Sequence, residues 1–157
     1  MKKLLLFLFC AFTLITSCAS CDKDSITPGD ENNLNNNAIP TGGKMKIKIG
    51  NNTFTATLYD NPTVAAFKSL LPMSINMGDL NGNEKYVDLS CNLPTNAANP
   101  GAIQTGDLML YDSSTLVLFY KSFSTSYSYT KLGRIDDPSG LAAAVGAGNI
   151  TVSFGIQ

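Results

Sequence analysis

Phe119, Phe123, Tyr127 and Tyr129 crowd into the stretch LVLFYKSFSTSYSYTKLGR, residues 116–134, together with Arg134, the single arginine of the chain. Rings this dense, with hydroxyls between them, suit either the filling of a small β-structure or the walls of a cleft. Leu116 to Phe119 are apolar at both strand parities, the pattern of a strand covered on both faces, so core accounts for them. Phe123, Tyr127 and Tyr129 follow at spacings of four and two, beyond that strand, where core packing has less claim. Aromatic clusters rimmed by polar groups suit recognition. Glu84 and Arg134 are the charged side chains placed to orient a ligand at the rim of such a cleft.

Much chemistry is excluded by composition. The chain has no histidine, so a Ser-His-Asp triad, a Cys-His pair and a histidine zinc site are unavailable. Asp79 to Glu84, DLNGNE, carries oxygen ligands around a glycine but lacks the spacing and the distant bidentate acid of a calcium loop, and reads as a turn between strands. Asp136-Asp137 ahead of Pro138 reads as capping for the segment that starts at Ser139 rather than as a catalytic carboxylate pair. PTNAANPG, residues 94–101, has no phosphate-loop spacing. No metal, no cofactor and no catalytic residue is expected.

The elements that position these side chains are mostly strands. Lys44, Lys46 and Lys48 alternate with Met45, Ile47 and Ile49, the period of a strand with one wet face. Gly50-Asn51-Asn52 turns the chain, and Phe54, Ala56 and Leu58 alternate on the return strand. Asn61-Pro62 is a cap and first-turn pair for a short helix carrying Val64, Phe67 and Leu71, stopped by Pro72. Further strands are expected at 74–79, 86–91, 107–111, 115–121, 132–136 and 150–154, with a second short helix at 139–145 ended by Gly146. About eight short strands and two short helices suit a barrel or a sandwich that closes its edges.

Ahead of this lie two different segments. Lys2 and Lys3 precede an apolar run from Leu4 to Ile15, too short for a settled membrane span and suited to a secretion signal. Its end, Ile15-Thr16-Ser17-Cys18, resembles the lipobox of bacterial lipoproteins, which implies cleavage before Cys18 and lipid on its thiol. Residues 1–17 are thus expected to be a signal peptide. Residues 18–43 are polar and turn-forming and cannot offset the entropy of ordering their backbone, so they are expected to be a disordered linker. A flexible coil of about 25 residues reaches roughly 25–30 Å. Asp22 and Asp24 resemble the acidic export tags of some surface-exposed lipoproteins.

Loss of the signal leaves 9 basic against 12 acidic residues, a net charge of −3. That surface is unsuited to nucleic acid, which requires clustered cations. Cys10 departs with the signal, Cys21 is a tether thiol and Cys91 a small buried hydrophobe, which makes no disulfide framework and no cysteine zinc site.

The remaining domain, residues 44–157, has a telling order: a hairpin, a helix ending in Leu71-Pro72, a long polar excursion, then Gly106-Asp107-Leu108-Met109-Leu110, Leu118-Phe119-Tyr120 and Leu132-Gly133-Arg134-Ile135. With Glu84-Lys85-Tyr86 and Tyr127 to Lys131 between, it resembles the cyclophilin-like domain family of bacterial secreted and envelope proteins. The resemblance implies a mostly β fold, a closed eight-stranded barrel with two short capping helices. It also raises prolyl isomerisation, since true cyclophilins hold a proline in an apolar pocket while an arginine hydrogen-bonds the twisting imide. Phe119 falls where the family has a pocket phenylalanine, and Tyr127 and Tyr129 fall near its tryptophan and histidine. No arginine stands between Met73 and Tyr86, where the catalytic one belongs, and losing such a stabiliser typically costs on the order of 10²–10³ in rate.

The expected protein is thus anchored to the membrane through lipid on Cys18, in the cell envelope and at the outer membrane. Its barrel is expected to bind a small ligand or a proline-containing peptide without catalysis. A weak peptidyl-prolyl isomerase and a purely structural envelope module are the alternatives.

Overall fold

The computed structural model describes residues 40–157; the expected signal peptide, Cys18 and nearly all of the linker lie outside the described residues. Ten strands and two helices follow in order: β1 Lys44–Ile49, β2 Asn52–Leu58, α1 Pro62–Lys68, β3 Met73–Leu80, β4 Glu84–Asp88, β5 Ala102–Ile103, β6 Asp107–Tyr111, β7 Thr115–Phe119, β8 Phe123–Ser124, β9 Thr130–Ile135, α2 Leu141–Val145 and β10 Ile150–Ile156. Eight strands close into an antiparallel barrel in the order β1-β10-β3-β4-β7-β6-β9-β2, as the resemblance implies, while β5 and β8 form a separate two-stranded ribbon.

Strand alternation builds the interior. Met45, Ile47 and Ile49 of β1 face inward against Phe54, Ala56 and Leu58 of β2 and Val152 and Phe154 of β10, all buried in one cluster. Leu108, Leu110, Leu116 and Leu118 complete it from the far wall. Gly133 of β9 sits where β2 comes closest: a Cβ there would lie 2.8 Å from the Thr57 carbonyl oxygen and 3.0 Å from Leu58 Cδ2, so a larger residue would push the seam open.

The helices close the barrel. Asn61 caps α1 by accepting from the Val64 amide at 2.8 Å while its Nδ2 donates to the Lys131 carbonyl at 2.9 Å, which ties the helix start to β9. Phe67 then meets Phe154 edge-on, ring centroids 6.3 Å apart. The helix ends at Lys68, earlier than the sequence expects, because the Ser69 and Leu70 amides turn back three residues to Ala66 and Phe67. Leu141 and Val145 of α2 are buried, with Gly140 preceding them at φ +79°.

Other boundaries move for similar local reasons. The strand expected at 86–91 runs Glu84–Asp88, since Asn81 and Gly82, both at positive φ, reverse the chain tightly after β3. β9 starts at Thr130 rather than 132, and its pairing with β6 shifts register between Leu108 and Met109. Gly42 and Gly43 already exchange backbone hydrogen bonds with Leu58. Cys91 is exposed rather than buried, because the chain has left β4 by then.

Candidate functional site

The wall formed by β4, β7 and β6 is covered on its outer face as well. Period two sends Leu116 and Leu118 of β7 inward, and Val117 and Phe119 outward. Outside, Met109, Val117, Phe119, Ile103 and Tyr129 form a second buried cluster with Phe123 packed on it. The polar excursion after β4 and the Ser/Tyr-rich segment before β9 supply the cover. Ile103 pairs with Phe123 across the β5–β8 ribbon, and Ala98 and Tyr129 exchange backbone hydrogen bonds of 3.0 Å in each direction.

Beside this cover the wall stays open. A cavity of about 270 Å³ is lined by Leu80, Asn81, Asn83, Glu84, Tyr86, Tyr111, Thr115, Val117, Phe123, Tyr127 and Tyr129. Among the described residues five large hydrophobic side chains are exposed, and four of them, Leu80, Tyr86, Tyr111 and Tyr127, line this one cavity. Exposed apolar surface concentrated in one concave patch marks a binding site more often than scattered single residues do. The rings form a continuous run: Tyr127 meets Tyr111 with centroids 6.1 Å apart, Tyr111 meets Tyr129 at 5.7 Å, Tyr129 meets Phe119 at 5.5 Å, and Phe119 meets Phe123 at 5.7 Å.

Four of the residues singled out by the sequence, Glu84, Phe123, Tyr127 and Tyr129, therefore converge on this cavity. Phe119 lies beneath them, fully buried, in contact with the rings of Phe123 and Tyr129. Arg134 is not among the lining residues. It faces β6, where its Nε donates to Asp107 Oδ1 at 2.6 Å, and Asp107 in turn accepts from the Gln104 amide at 2.8 Å. Parity and register explain this: Arg134 stands opposite Asp107 in the β6–β9 pair, so a buried carboxylate claims it. Tyr86, Tyr111, Val117 and Leu80 were not foreseen. Tyr86 was accessible in principle, being two residues from Glu84 on the same strand face.

Glu84 is the unusual group here. It is 8% exposed, yet its carboxylate makes no hydrogen bond or ion pair among the described residues. Burial raises its pKa above the ordinary carboxylate value, and the like charge of Asp79 adds to the rise. Tyr129 is raised for the same first reason, burial, and then by the Glu84 charge. Asn83, lining the same cavity, has a buried Oδ1 without a hydrogen-bond partner. The other carboxylates considered from the sequence are engaged elsewhere: Asp136 binds Lys44 and Thr57, and Asp137 accepts from the Ser139 amide at 3.0 Å.

A family model described as the cyclophilin-like family matches residues 47–155. Among solved structures, the chain is similar to the solution structure of a hypothetical protein of Archaeoglobus fulgidus, with 19% identity and a TM-score of 0.51 over 74% of this chain and 95% of that one. That likeness concerns the fold alone. No curated protein matches the chain.

Proposed function

Starting from the fact that this chain belongs to the cyclophilin-like family, we propose that its barrel is a non-catalytic binding module that takes a small ligand or an extended peptide segment in the outer-wall cavity. The observation that carries this reading is the collection of exposed aromatic side chains around one hollow beside a buried carboxylate with no partner. Such a hollow leaves apolar area and a polar group to be satisfied by something else. At about 270 Å³ it lies just under the roughly 300–1,000 Å³ of small-molecule pockets, which suits a headgroup or one side chain rather than a large molecule. Binding is favoured over prolyl isomerisation by the lining itself, which includes no arginine or lysine to donate to a twisting imide. The lipobox-like Ile15 to Cys18 supports lipid anchoring of the module in the cell envelope, at the outer membrane, through Cys18.

Titration of the full chain with small ligands and with proline-containing peptides, followed by tyrosine resonances and melting temperature, tests this. Binding is expected to shift Tyr111, Tyr127 and Tyr129 together and to weaken at least tenfold in Tyr127→Ala. Turnover of a proline peptide well above the spontaneous rate, lost in Phe119→Ala with the fold intact, would replace the binding-only reading with the isomerase one. Incorporation of labelled fatty acid into the chain but not into Cys18→Ser tests the anchor.

A further inference from the structure

The same cavity has a charge preference, and this inference rests on the binding role just proposed. We propose that the outer-wall cavity recognises an organic cation, an alkylammonium headgroup held between tyrosine rings and facing Glu84.

Three independent features point to positive charge. First, Glu84 is buried beside the cavity without a counter-ion, and the charged group that bears on it most is Asp79, which has the same sign. Lys85, its neighbour in sequence, points to the opposite side of the sheet and is committed to Asp79 at 2.6 Å. A carboxylate largely withdrawn from water, with no donor from the protein, favours a ligand that brings a cation to it. Second, the walls are π faces. Tyr86, Tyr111, Tyr127, Tyr129 and Phe123 line a single hollow, and aromatic faces attract a cation that has shed part of its water. Third, the other polar group left without a partner, Asn83 Oδ1, is also an acceptor. An anionic ligand would meet a carboxylate and no cation among the lining residues.

Alkylammonium chemistry occurs on free small molecules and on lysine side chains of peptides, and an envelope-facing cavity has access to both. The two are separated by choice of probe. Titrating the full chain by nuclear magnetic resonance with choline, with its neutral isostere 3,3-dimethyl-1-butanol, and with a short lysine-containing and trimethyllysine-containing peptide pair compares charge and source together. Choline is expected to bind at least tenfold more tightly than the neutral isostere, to shift the rings of Tyr111 and Tyr127, and to lose that advantage in Glu84→Gln. A peptide binding more tightly than choline assigns the cation to a protein partner; the reverse assigns it to a free amine. Both outcomes support the inference.

Should Glu84→Gln fold poorly, Tyr127→Ala serves in its place, since Tyr127 is 61% exposed and outside the core; it should weaken choline while leaving the melting point alone. Equal binding of choline and its isostere, unaffected by Glu84→Gln, would overturn the cationic preference and leave the binding role standing. No ring shifts with any probe, nor with uncharged proline-containing peptides, would remove both.

Discussion

On the inner side of β4, Lys85 is fully buried and every ammonium proton has a destination: Asp79 Oδ2 at 2.6 Å, the Gly146 carbonyl at 3.0 Å and the Gly148 carbonyl at 2.6 Å. Tyr120 adds its hydroxyl to Asp79 Oδ2 at 2.7 Å, and the Gly82 amide donates to the other oxygen at 3.1 Å. On the outer side of the same strand, one residue earlier, Glu84 has none of this. The alternation that sends consecutive residues to opposite faces has placed one buried charge in a closed network and the next in an open hollow. A saturated network fastens the segment after α2 to the barrel mouth, whereas an unsaturated group waits for something to satisfy it. The two faces of β4 thus separate what holds the molecule together from what it offers to others.

The sharpest way to break that comparison is at Lys85. Lys85→Met leaves the Gly146 and Gly148 carbonyls without their ammonium donor and Asp79 with only Tyr120 and Gly82, and removing one partner of a buried ion pair typically costs about 3–5 kcal/mol. Asp79 keeps 22% of its side chain exposed, so the lower end, about 3 kcal/mol, is expected. For a domain near this size that lowers the melting temperature by roughly 10–15 °C. Urea unfolding with an unchanged slope measures it. A loss under about 1 kcal/mol would mean that the inner network fastens nothing.

Glu84→Gln probes the outer face and has the opposite sign. Because burial raises the folded pKa of Glu84 above its unfolded value, its protonated form contributes stability that is present below the unfolded pKa and lost as pH rises through the folded one. The glutamine variant is therefore expected to be more stable than the parent at pH 7. The gain should vanish below about pH 4, where the parent carboxyl is protonated in both states. Asp79 runs the other way. Hydrogen bonds from Lys85 and Tyr120 hold its folded pKa down, so its contribution is present above the unfolded value and disappears as pH falls through the folded one. The groups facing Glu84 electrostatically are Asp79, Tyr120 and Tyr129. Tyr120 is pushed up to about 12, chiefly by burial and then by its bond to Asp79, so it stays protonated throughout this range. Paired urea series at pH 4 and 7 read the effect, and equal stability of parent and variant at both would show that Glu84 is already compensated.

The interior was legible in the sequence because alternation there is uninterrupted. Lys44, Lys46 and Lys48 on one parity and Met45, Ile47 and Ile49 on the other leave a single way to orient β1. The double-sided apolar run of β7 likewise announced a wall covered on both faces, and Leu118 and Phe119 do lie in different clusters. What covers the outer face was not legible. The β5–β8 ribbon has only two residues in each strand, too short for a periodicity, and its pairing joins segments some twenty residues apart. Arg134 misled for a related reason. From sequence alone Arg134 reads as part of the rim, but strand register gives its guanidinium to the acid opposite it, Asp107, which the sequence presents only as the edge of a strand. Tyr111 and Tyr86 read in sequence only as strand ends, and their convergence with Tyr127 depends on closing the barrel wall between them.

The smallest expected effect on stability is at Tyr127, and it is the most informative about whether the two faces are separable. Tyr127 is 61% exposed and touches Tyr111 edge-on from a loop held by local hydrogen bonds such as its own amide to Thr125 Oγ1 at 3.1 Å. Removing an exposed ring uncovers little apolar surface that the folded state had buried, so Tyr127→Ala should change unfolding free energy by no more than about 0.5 kcal/mol. The stacking and cation–π contacts that this one ring makes with a ligand are lost, so binding in the cavity should fall at least tenfold. Lys85→Met should do the reverse at temperatures where it remains folded, destabilising the barrel while leaving ligand affinity largely unchanged, because its side chain lies on the opposite side of the sheet from the cavity. If Lys85→Met at a temperature well below its melting point also abolished binding, the strand would be transmitting the state of its inner face to its outer one. Glu84 and Lys85 would then be two ends of one electrostatic device joined through Asp79, rather than a fastening and a site that happen to share a strand.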